Sequence, residues 1–200
     1  SVELYTMAVE QGYVGAMFNL ACLYRDGEGV AQSFKKAAEL YAMAVEQGNA
    51  NAMFNLGNGY RDGKGVVQSF KKAAELFTMA AERGLVEAMG NLGCMYRDEQ
   101  GVVQSFKKAA ELYTMAAEQG NVSAMSNLGN LYIQGDGVAQ SNELAREWWT
   151  KAANEGYEKA IECLKILDEQ EGKTTTTTAP TTTAAAPPSI CCSSCNTPQP

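Results

Sequence analysis

The sequence predicts an all-α solenoid, in which about ten antiparallel helices stack in pairs and a disordered C-terminal tail follows. The main observation is an internal repeat with a period of 36 residues. A fixed period in this range indicates a row of supersecondary units, each of which buries its apolar face against its neighbours. No stretch alternates with a period of two, so no strand is expected. Glycine, alanine and leucine recur at the period of 36 (Gly12, Gly48, Gly84, Gly120, Gly156; Ala16, Ala52, Ala88, Ala124, Ala160; Leu20, Leu56, Leu92, Leu128, Leu164).

A first helix opens each unit, as the segment that begins at Asn49 shows. Ala52, Leu56 and Tyr60 are spaced at i, i+4 and i+8, which places their side chains on one helical face. Gly57 carries a helix penalty of ~1 kcal/mol, and we expect it there because it lets a neighbouring helix backbone approach closely.

A loop with two glycines ends the first helix, since glycine takes positive φ without strain. In the second unit this loop reads Asp-Gly-Lys-Gly-Val over residues 62–66. The third loop carries Glu99 at a position where the other loops have glycine. If this position needs a positive φ, Glu99 costs ~1 kcal/mol there.

A second helix completes each unit. Ser69 is predicted to cap it, because a serine side chain accepts hydrogen bonds from the free backbone N–H groups of the first turn. The same column holds serine in three other units (Ser33, Ser105, Ser141). Apolar residues then follow the spacing of an amphipathic helix (Ala73, Leu76, Phe77, Ala80, Ala81). The last helix is expected from Glu158 to about Gln170, with a more polar surface that seals the end of the stack.

These motifs resemble one known family. The units approximate the string Ala-x-x-Asn-Leu-Gly-x-x-Tyr, then Gly-x-Gly-Val, then Lys-Ala-Ala and Ala-Ala-Glu-Gln-Gly. The pattern resembles the Sel-one-like repeat, a relative of the tetratricopeptide repeat, over residues 1 to about 170. The family's usual Trp and Lys appear only as Trp148 and Lys151. The resemblance implies a right-handed solenoid whose first helices line an inner, partner-binding face.

The composition divides the chain into three segments. We expect a repeat solenoid over 1–171, a Thr/Ala/Pro-rich disordered linker over 172–190, and a Cys-rich tail over 191–200. Because Ser1 falls inside a predicted helix, we also expect the chain to be a fragment of a longer protein. Residues 65–84 and 101–120 differ at only two positions, which indicates a recent duplication.

Charge and composition exclude several classes of function. A formal charge of -7 argues against binding to nucleic acid or to anionic membranes. No apolar run approaches the ~20 residues that a membrane span requires. The chain has no His, which removes the usual general base and the commonest metal ligand. We therefore predict a monomer that is not an enzyme and needs no cofactor in the repeat domain.

Three cysteines in the repeats are predicted to be buried free thiols. Cys22 and Cys94 occupy one column two repeats apart, which puts them ~30 Å or more from each other. A disulfide needs Cα atoms within about 7 Å, so these two cannot pair. Together with Cys163 they predict a reducing compartment, the cytoplasm or the nucleus.

A column of asparagines on the first helices is the main candidate binding site (Asn19, Asn55, Asn91, Asn127). In the related repeats, polar side chains at the inner face hold a peptide backbone. The alternative is that each asparagine forms an interhelical hydrogen bond that sets the geometry of the stack. Both interpretations stay open at this point.

The second helices carry two further candidate columns. Each of three helices opens with a lysine pair that would suit an acidic partner, unless it is only a solvated face (Lys35, Lys36, Lys71, Lys72, Lys107, Lys108). The methionines at 43, 79 and 115 either belong to the core, which we favour, or form an apolar ridge for a partner.

The Ser-x-x-Lys motif at the start of these helices matches the nucleophile pattern of penicillin-recognising enzymes. Some cysteine-rich proteins of the resembling family are linked to penicillin binding. No Ser-Asp-Asn or Lys-Thr-Gly motif follows, and the serine recurs before every second helix. A helix cap explains the motif better, and a hydrolase stays the least favoured function.

The tail contains a candidate zinc site at Cys191, Cys192 and Cys195. Cys192-x-x-Cys195 has the spacing that opens many zinc sites, but a structural zinc needs four ligands. The context resembles the start of a MYND or RING-type finger; the alternative is a redox-sensitive or inert tail.

The functional prediction is a protein-interaction scaffold or adaptor that holds a protein or peptide on its inner face. The alternative is the recruiting arm of a zinc-finger regulatory protein or ubiquitin ligase.

Overall fold

The structure is a computed structural model that describes residues 2–172. This part of the chain contains ten α-helices and no strand, which confirms the predicted fold class. The helices are α1 (Val2–Glu10), α2 (Val14–Asp26), α3 (Phe34–Glu46), α4 (Ala50–Asp62), α5 (Phe70–Glu82), α6 (Val86–Arg97), α7 (Phe106–Glu118), α8 (Val122–Gln134), α9 (Asn142–Asn154) and α10 (Glu158–Gln170). First helices have even numbers and second helices have odd numbers.

The described residues form two compact units, 2–105 and 106–172. In the first unit, each helix from α1 to α6 packs against the helices before and after it along the chain. In the second unit, α7 to α10 pack in the same way. Within each unit the core is therefore built between sequence neighbours, as expected for a repeat protein.

One aromatic side chain from each of α3, α5, α7 and α9 fills the core (Tyr41, Phe77, Tyr113, Trp149). Glycines on the preceding first helices make room for two of these rings. A Cβ atom at Gly57 would lie 2.8 Å from the ring of Phe77, and one at Gly129 would lie 2.5 Å from Trp149. The expectation that Gly57 accommodates a helix backbone is therefore wrong, because the group it accommodates is an aromatic ring.

The caps and loops follow the sequence closely. The side chains of Ser33, Ser69 and Ser141 each accept a hydrogen bond from a backbone N–H three residues on. This confirms the helix-cap prediction for these three serines. The first loop glycine has positive φ in three loops (Gly27 75°, Gly63 69°, Gly135 77°). Glu99 adopts the same region with φ 56°, so the suspected strained position in the third loop is confirmed.

The cysteines give a mixed result. Neither Cys22 nor Cys163 forms a disulfide, as predicted, but only Cys163 is buried, since Cys22 is half-buried. The prediction is wrong for Cys94, because its sulfur is disulfide-bonded. This removes one of the observations behind the predicted reducing compartment, which stays a prediction. The candidate zinc ligands Cys191, Cys192 and Cys195 lie outside the described residues.

Candidate functional site

The predicted asparagine column lies on the first helices. In the first unit, Asn19 on α2 is exposed, whereas Asn55 on α4 and Asn91 on α6 are half-buried. Asn127 is half-buried on α8 in the second unit. The 36-residue spacing therefore brings three of the four asparagines onto successive first helices of one unit.

Two of these asparagines join neighbouring first helices by side-chain hydrogen bonds. Arg25 at the end of α2 donates from Nη1 to Asn55 Oδ1 over 2.8 Å. Asn91 donates from Nδ2 to Asn58 Oδ1 over 3.4 Å. Asn55 also donates to the carbonyl of Asn51 in its own helix at 2.9 Å. An amide side chain offers two donors and two acceptor lone pairs, so Asn55 keeps capacity for a further partner.

A column of arginines at the ends of the same helices was not predicted from the sequence. Arg25, Arg61 and Arg97 are each 2.7 Å from the carboxylate of the aspartate that follows them. The sequence feature that could have predicted this column is an Arg-Asp dipeptide that recurs every 36 residues. The fourth unit has Ile133 at this position, so the column ends with the first unit.

The Arg25–Asp26 pair shows what this contact does electrostatically. The hydrogen bond from Arg25 lowers the pKa of Asp26, and the same bond raises the pKa of the guanidinium above its usual value. Both groups are therefore charged at neutral pH and largely cancel each other. The face that carries the asparagines is polar, yet these pairs add little net charge to it.

The lysine pairs lie at the start of the second helices, and their two members differ. Lys36 places its Nζ 5.0 Å from the ring centre of Tyr24, and Lys72 lies at the same distance from Tyr60. Both members of each pair are exposed to solvent. The structure thus puts the lysines on helices other than those that carry the asparagines.

The methionines at 43, 79 and 115 are exposed, with relative accessibilities of 41%, 36% and 49%. The preference for a core role was therefore wrong. The reason is helical geometry: a residue two positions after the buried aromatic of its helix lies about 200° further round the helix. These side chains point away from the core.

In the second unit, the exposed methionine borders an open cleft of 590 Å³ between α7 and the loop that follows α8. Lys107, Glu111, Thr114 and Met115 form the helix side, while Gly137 and Val138 form the loop side. Thr114 donates its hydroxyl hydrogen to the carbonyl of Ala110 in its own helix at 2.8 Å, so this proton is already used within the helix. The cleft is mainly apolar, with one lysine and one glutamate at its edge.

The Tyr41 hydroxyl on α3 makes a further contact, with Cys22 on α2. Burial, and then the contact with Cys22, raises the pKa of the Tyr41 hydroxyl, whose oxygen lies 3.4 Å from the Cys22 sulfur. Over residues 2–172, no cluster of three metal-ligating side chains is present. Every helix in that range is too short or too polar to cross a membrane.

Four consecutive stretches of the chain match the family profile described as Sel1 repeat. They cover residues 14–49, 50–85, 86–121 and 122–157, so each contains one first helix and the second helix after it. The chain belongs to the Sel1 repeat family. The resemblance inferred from the sequence is confirmed, and the fold is the helical solenoid that this family adopts.

Three solved structures resemble this chain over 80% to 86% of its length. Antigen c5321 of uropathogenic Escherichia coli, which displays an SLR fold, is 32% identical with a TM-score of 0.83, covering 86% of this chain and 37% of its own. A Sel1 repeat protein from Oxalobacter formigenes is 30% identical with a TM-score of 0.75, covering 82% and 65%. Immunity protein Pa5087 from Pseudomonas aeruginosa is 27% identical with a TM-score of 0.50, covering 80% and 59%.

The chain therefore spans 37% to 65% of the length of these three proteins. A comparison with curated protein sequences gives no match.

Proposed function

We propose that this Sel1 repeat chain is a non-enzymatic scaffold that binds a protein segment along the first helices of residues 2–105. The observation that carries the proposal is the polar ladder on α2, α4 and α6. Hydrogen bonds between side chains hold these helices side by side, as Arg25 to Asn55 and Asn91 to Asn58 show. A partner would meet amide groups on α4 and α6 whose positions are set before it binds, beside the exposed Asn19 on α2.

Asn55 and Asn19 have different roles. Asn55 braces the stack, because it accepts a hydrogen bond from the neighbouring helix and donates one within its own. Asn19 is exposed and makes no side-chain hydrogen bond within residues 2–172. Asn19 is therefore the position at which binding can be tested without disturbing the brace.

Such a ladder suits the backbone of an extended or helical protein segment better than a small molecule. Amide side chains donate and accept hydrogen bonds without adding charge, and each Arg-Asp pair is close to neutral. The partner therefore needs backbone or polar groups to match and no strong net charge. A row of equivalent groups on successive repeats favours a long ligand, which is how helical repeat proteins use an extended surface.

The test separates bracing from binding. A photo-cross-linking residue at position 19 identifies the partner, and the affinity of that partner is then measured for two variants. Asn19→Ala is expected to weaken binding about fivefold to tenfold, an ordinary hydrogen-bond loss, and to leave the melting temperature unchanged. Asn55→Ala is expected to lower stability by about 1 kcal/mol as well as affinity.

A matched control is the pair Asn142→Ala and Asn154→Ala, two exposed asparagines on the second helix α9. These substitutions should change neither affinity nor stability measurably. If Asn19→Ala leaves the affinity unchanged while Asn55→Ala lowers only the melting temperature, the asparagines are internal braces and the proposed binding face is wrong.

A further inference from the structure

Basic side chains are unevenly distributed in the first unit, residues 2–105. The arginines at the ends of α2, α4 and α6 each form an ion pair with an aspartate, which largely cancels their charge. Apart from Arg83, the remaining basic residues are lysines at the starts of α3 and α5 or in the loop after α4 (Lys35, Lys36, Lys64, Lys71, Lys72). We call these side chains the lysine patch. Within residues 2–172 none of them forms an ion pair, so their charges are available to a ligand.

The loop after α4 brings these lysines together. Gly65 packs against the main chain of Phe34, so this loop lies on the start of α3. Lys64, the residue before it, places its Nζ 6.0 Å from the centre of the Phe34 ring. Lys71 follows Gly65 by six residues, which span about 22 Å when fully extended. The lysines of α3, of the loop and of α5 therefore belong to one patch.

Aromatic rings restrict three of the ammonium groups. A cation over the face of an aromatic ring is attracted by the ring's negative face. Three lysines of the patch make this contact (Lys36 with Tyr24, Lys72 with Tyr60, Lys64 with Phe34). A ligand therefore meets ammonium groups whose positions are partly set, which lowers the entropy lost on binding.

The lysines stand where the helix itself disfavours them. The N-terminal end of a helix carries a partial positive charge, so a nearby cation is unfavourable. Helix α9 shows that the fold does not need it: Ser141 caps this helix as Ser33 caps α3, but its first turn contains Glu143 and no lysine. Neither capping nor packing thus explains the lysines of α3 and α5. Their charge is placed against local stability, which indicates a surface that is used.

Lys64 makes the start of α3 more basic than the start of α5. The loop that packs on α5 has Gln100 in the column of Lys64. On both helices a glutamate follows the first lysine by four residues and lies one turn further along (Glu39, Glu75). The positive patch is therefore narrow, and it is strongest at α3.

These charges favour an acidic protein segment as the ligand. Carboxylates spaced along a peptide can each approach an ammonium group, and complementary charge also speeds the encounter. A nucleic acid or an anionic membrane presents a longer negative surface. Such a surface would also face Glu39 and Glu75, on a chain whose formal charge is -7. A short acidic segment can contact the lysine patch alone.

We propose that the lysine patch binds a segment of a partner protein that is rich in Asp and Glu, with its main contacts at Lys35 and Lys64. The patch lies on second helices and a loop, whereas the asparagine ladder lies on first helices. The proposal therefore goes beyond the proposed function and does not depend on it. It gives the scaffold a second ligand, of defined charge, on different helices from the first.

The experiment measures binding of a fluorescently labelled peptide of six Glu-Ser units to the whole chain by fluorescence anisotropy. We expect binding at 50 mM salt that weakens about tenfold at 500 mM, because salt screens exposed charges. A peptide of six Gln-Ser units should not bind. Equal binding of the glutamine peptide, or tighter binding of a 20-nucleotide thymidine oligomer than of the acidic peptide, would overturn the proposal.

The variant Lys35→Gln/Lys64→Gln should weaken binding of the acidic peptide about tenfold, since two of its charge contacts are lost. Its matched control is Arg83→Gln/Lys165→Gln, which removes the same charge at exposed positions outside the patch. The control should change the affinity less than about twofold. An equal loss in both variants would mean that only the net charge of the chain matters, and the assigned site would be wrong.

Three further readouts separate a binding role from a structural one. Gln100→Lys supplies the missing lysine beside α5 and should strengthen binding about threefold; an unchanged affinity would contradict the patch. Lys35→Gln/Lys64→Gln should melt at or above the parent temperature, because a lysine at a helix start is unfavourable. A lower melting temperature would make these lysines structural. Asn19→Ala should bind the acidic peptide like the parent chain, which keeps this test independent of the asparagine ladder.

Discussion

The loop after α4 and the loop after α6 have the same conformation, although glycine begins one and glutamate the other. Gly63 has φ 69° and Glu99 has φ 56°, both in the left-handed region that disfavours residues with a side chain. The two loops are otherwise nearly identical from Gly65 and Gly101 onward. A local preference for glycine therefore does not set the shape of the loop.

Contacts further along the loop explain why Glu99 is tolerated. Gln68 and Gln104 each donate a hydrogen bond of 2.8 Å back to a carbonyl at the end of the preceding helix. The second glycine of each loop packs on the main chain of the preceding second helix. These contacts fix the backbone on the C-terminal side of the first loop position. That position therefore adopts a positive φ even where its residue, Glu99, disfavours it.

We expect the second glycine of each loop to contribute more to stability than the first loop position. Gly101→Ala combines positive φ with a Cβ atom about 2.2 Å from the main chain of Phe70, so we expect a loss of about 3 kcal/mol or more. Gly84→Ala is the matched control, because it has φ 81° with no atom within 4 Å of the added Cβ. Its loss should be about 1 kcal/mol.

Urea unfolding of the two variants, compared with the parent chain, measures the difference. Equal losses at Gly101 and Gly84 would mean that the close approach carries no energy, and the explanation for the shared loop shape would fail.

The first loop position should give a smaller effect, of opposite sign. Glu99→Gly removes the strain and is expected to stabilise the chain by about 1 kcal/mol. Gly63→Glu should destabilise it by a similar amount, because it recreates at α4 what occurs naturally at α6. Thermal melts of both variants test the pair, and a destabilised Glu99→Gly variant would show that the glutamate makes a favourable contact that outweighs its strain.

The smallest expected effect concerns the helix end before the first loop. Because the pKa of Asp26 is lowered in the folded state, its contribution to stability is present above its ordinary pKa of 3.8 and is lost as the pH falls through the folded value. The pair is partly exposed, so Asp26→Asn should cost only about 0.3 kcal/mol at pH 7. Melts at pH 7 and through the acid range below the ordinary pKa should show this difference shrink as Asp26 takes up its proton. A constant difference would exclude the ion pair as its source.

Much of the fold was predictable because the repeat period and the helical spacing agree. The last helix runs over Glu158–Gln170 as expected, and the serine caps sit one residue before their helices. Such features depend on interactions between residues that are close together in the sequence, so they can be predicted from it. The conformation of Glu99 was predictable for the same reason, since its column holds glycine in the other loops.

Other features depend on contacts between elements and were missed. Met43 lies near apolar residues in the sequence, but its direction follows from which face Tyr41 buries. The role of Gly57 depends on the ring of Phe77, which is distant in sequence. The Arg25–Asn55 bond joins two repeats, so neither residue reveals it alone. Whether the asparagines and lysines bind a partner stays a prediction.

Trp149 is fully buried and donates from its indole nitrogen to the carbonyl of Ser126 at 3.1 Å. The only other tryptophan, Trp148, lies beside it on α9, under the ammonium of Lys151. Tryptophan fluorescence from this chain therefore reports on α9 and its surroundings alone, whereas circular dichroism averages over all the helices. When the two signals lose their native values at different temperatures, the gap between them measures how far residues 106–172 melt independently of residues 2–105.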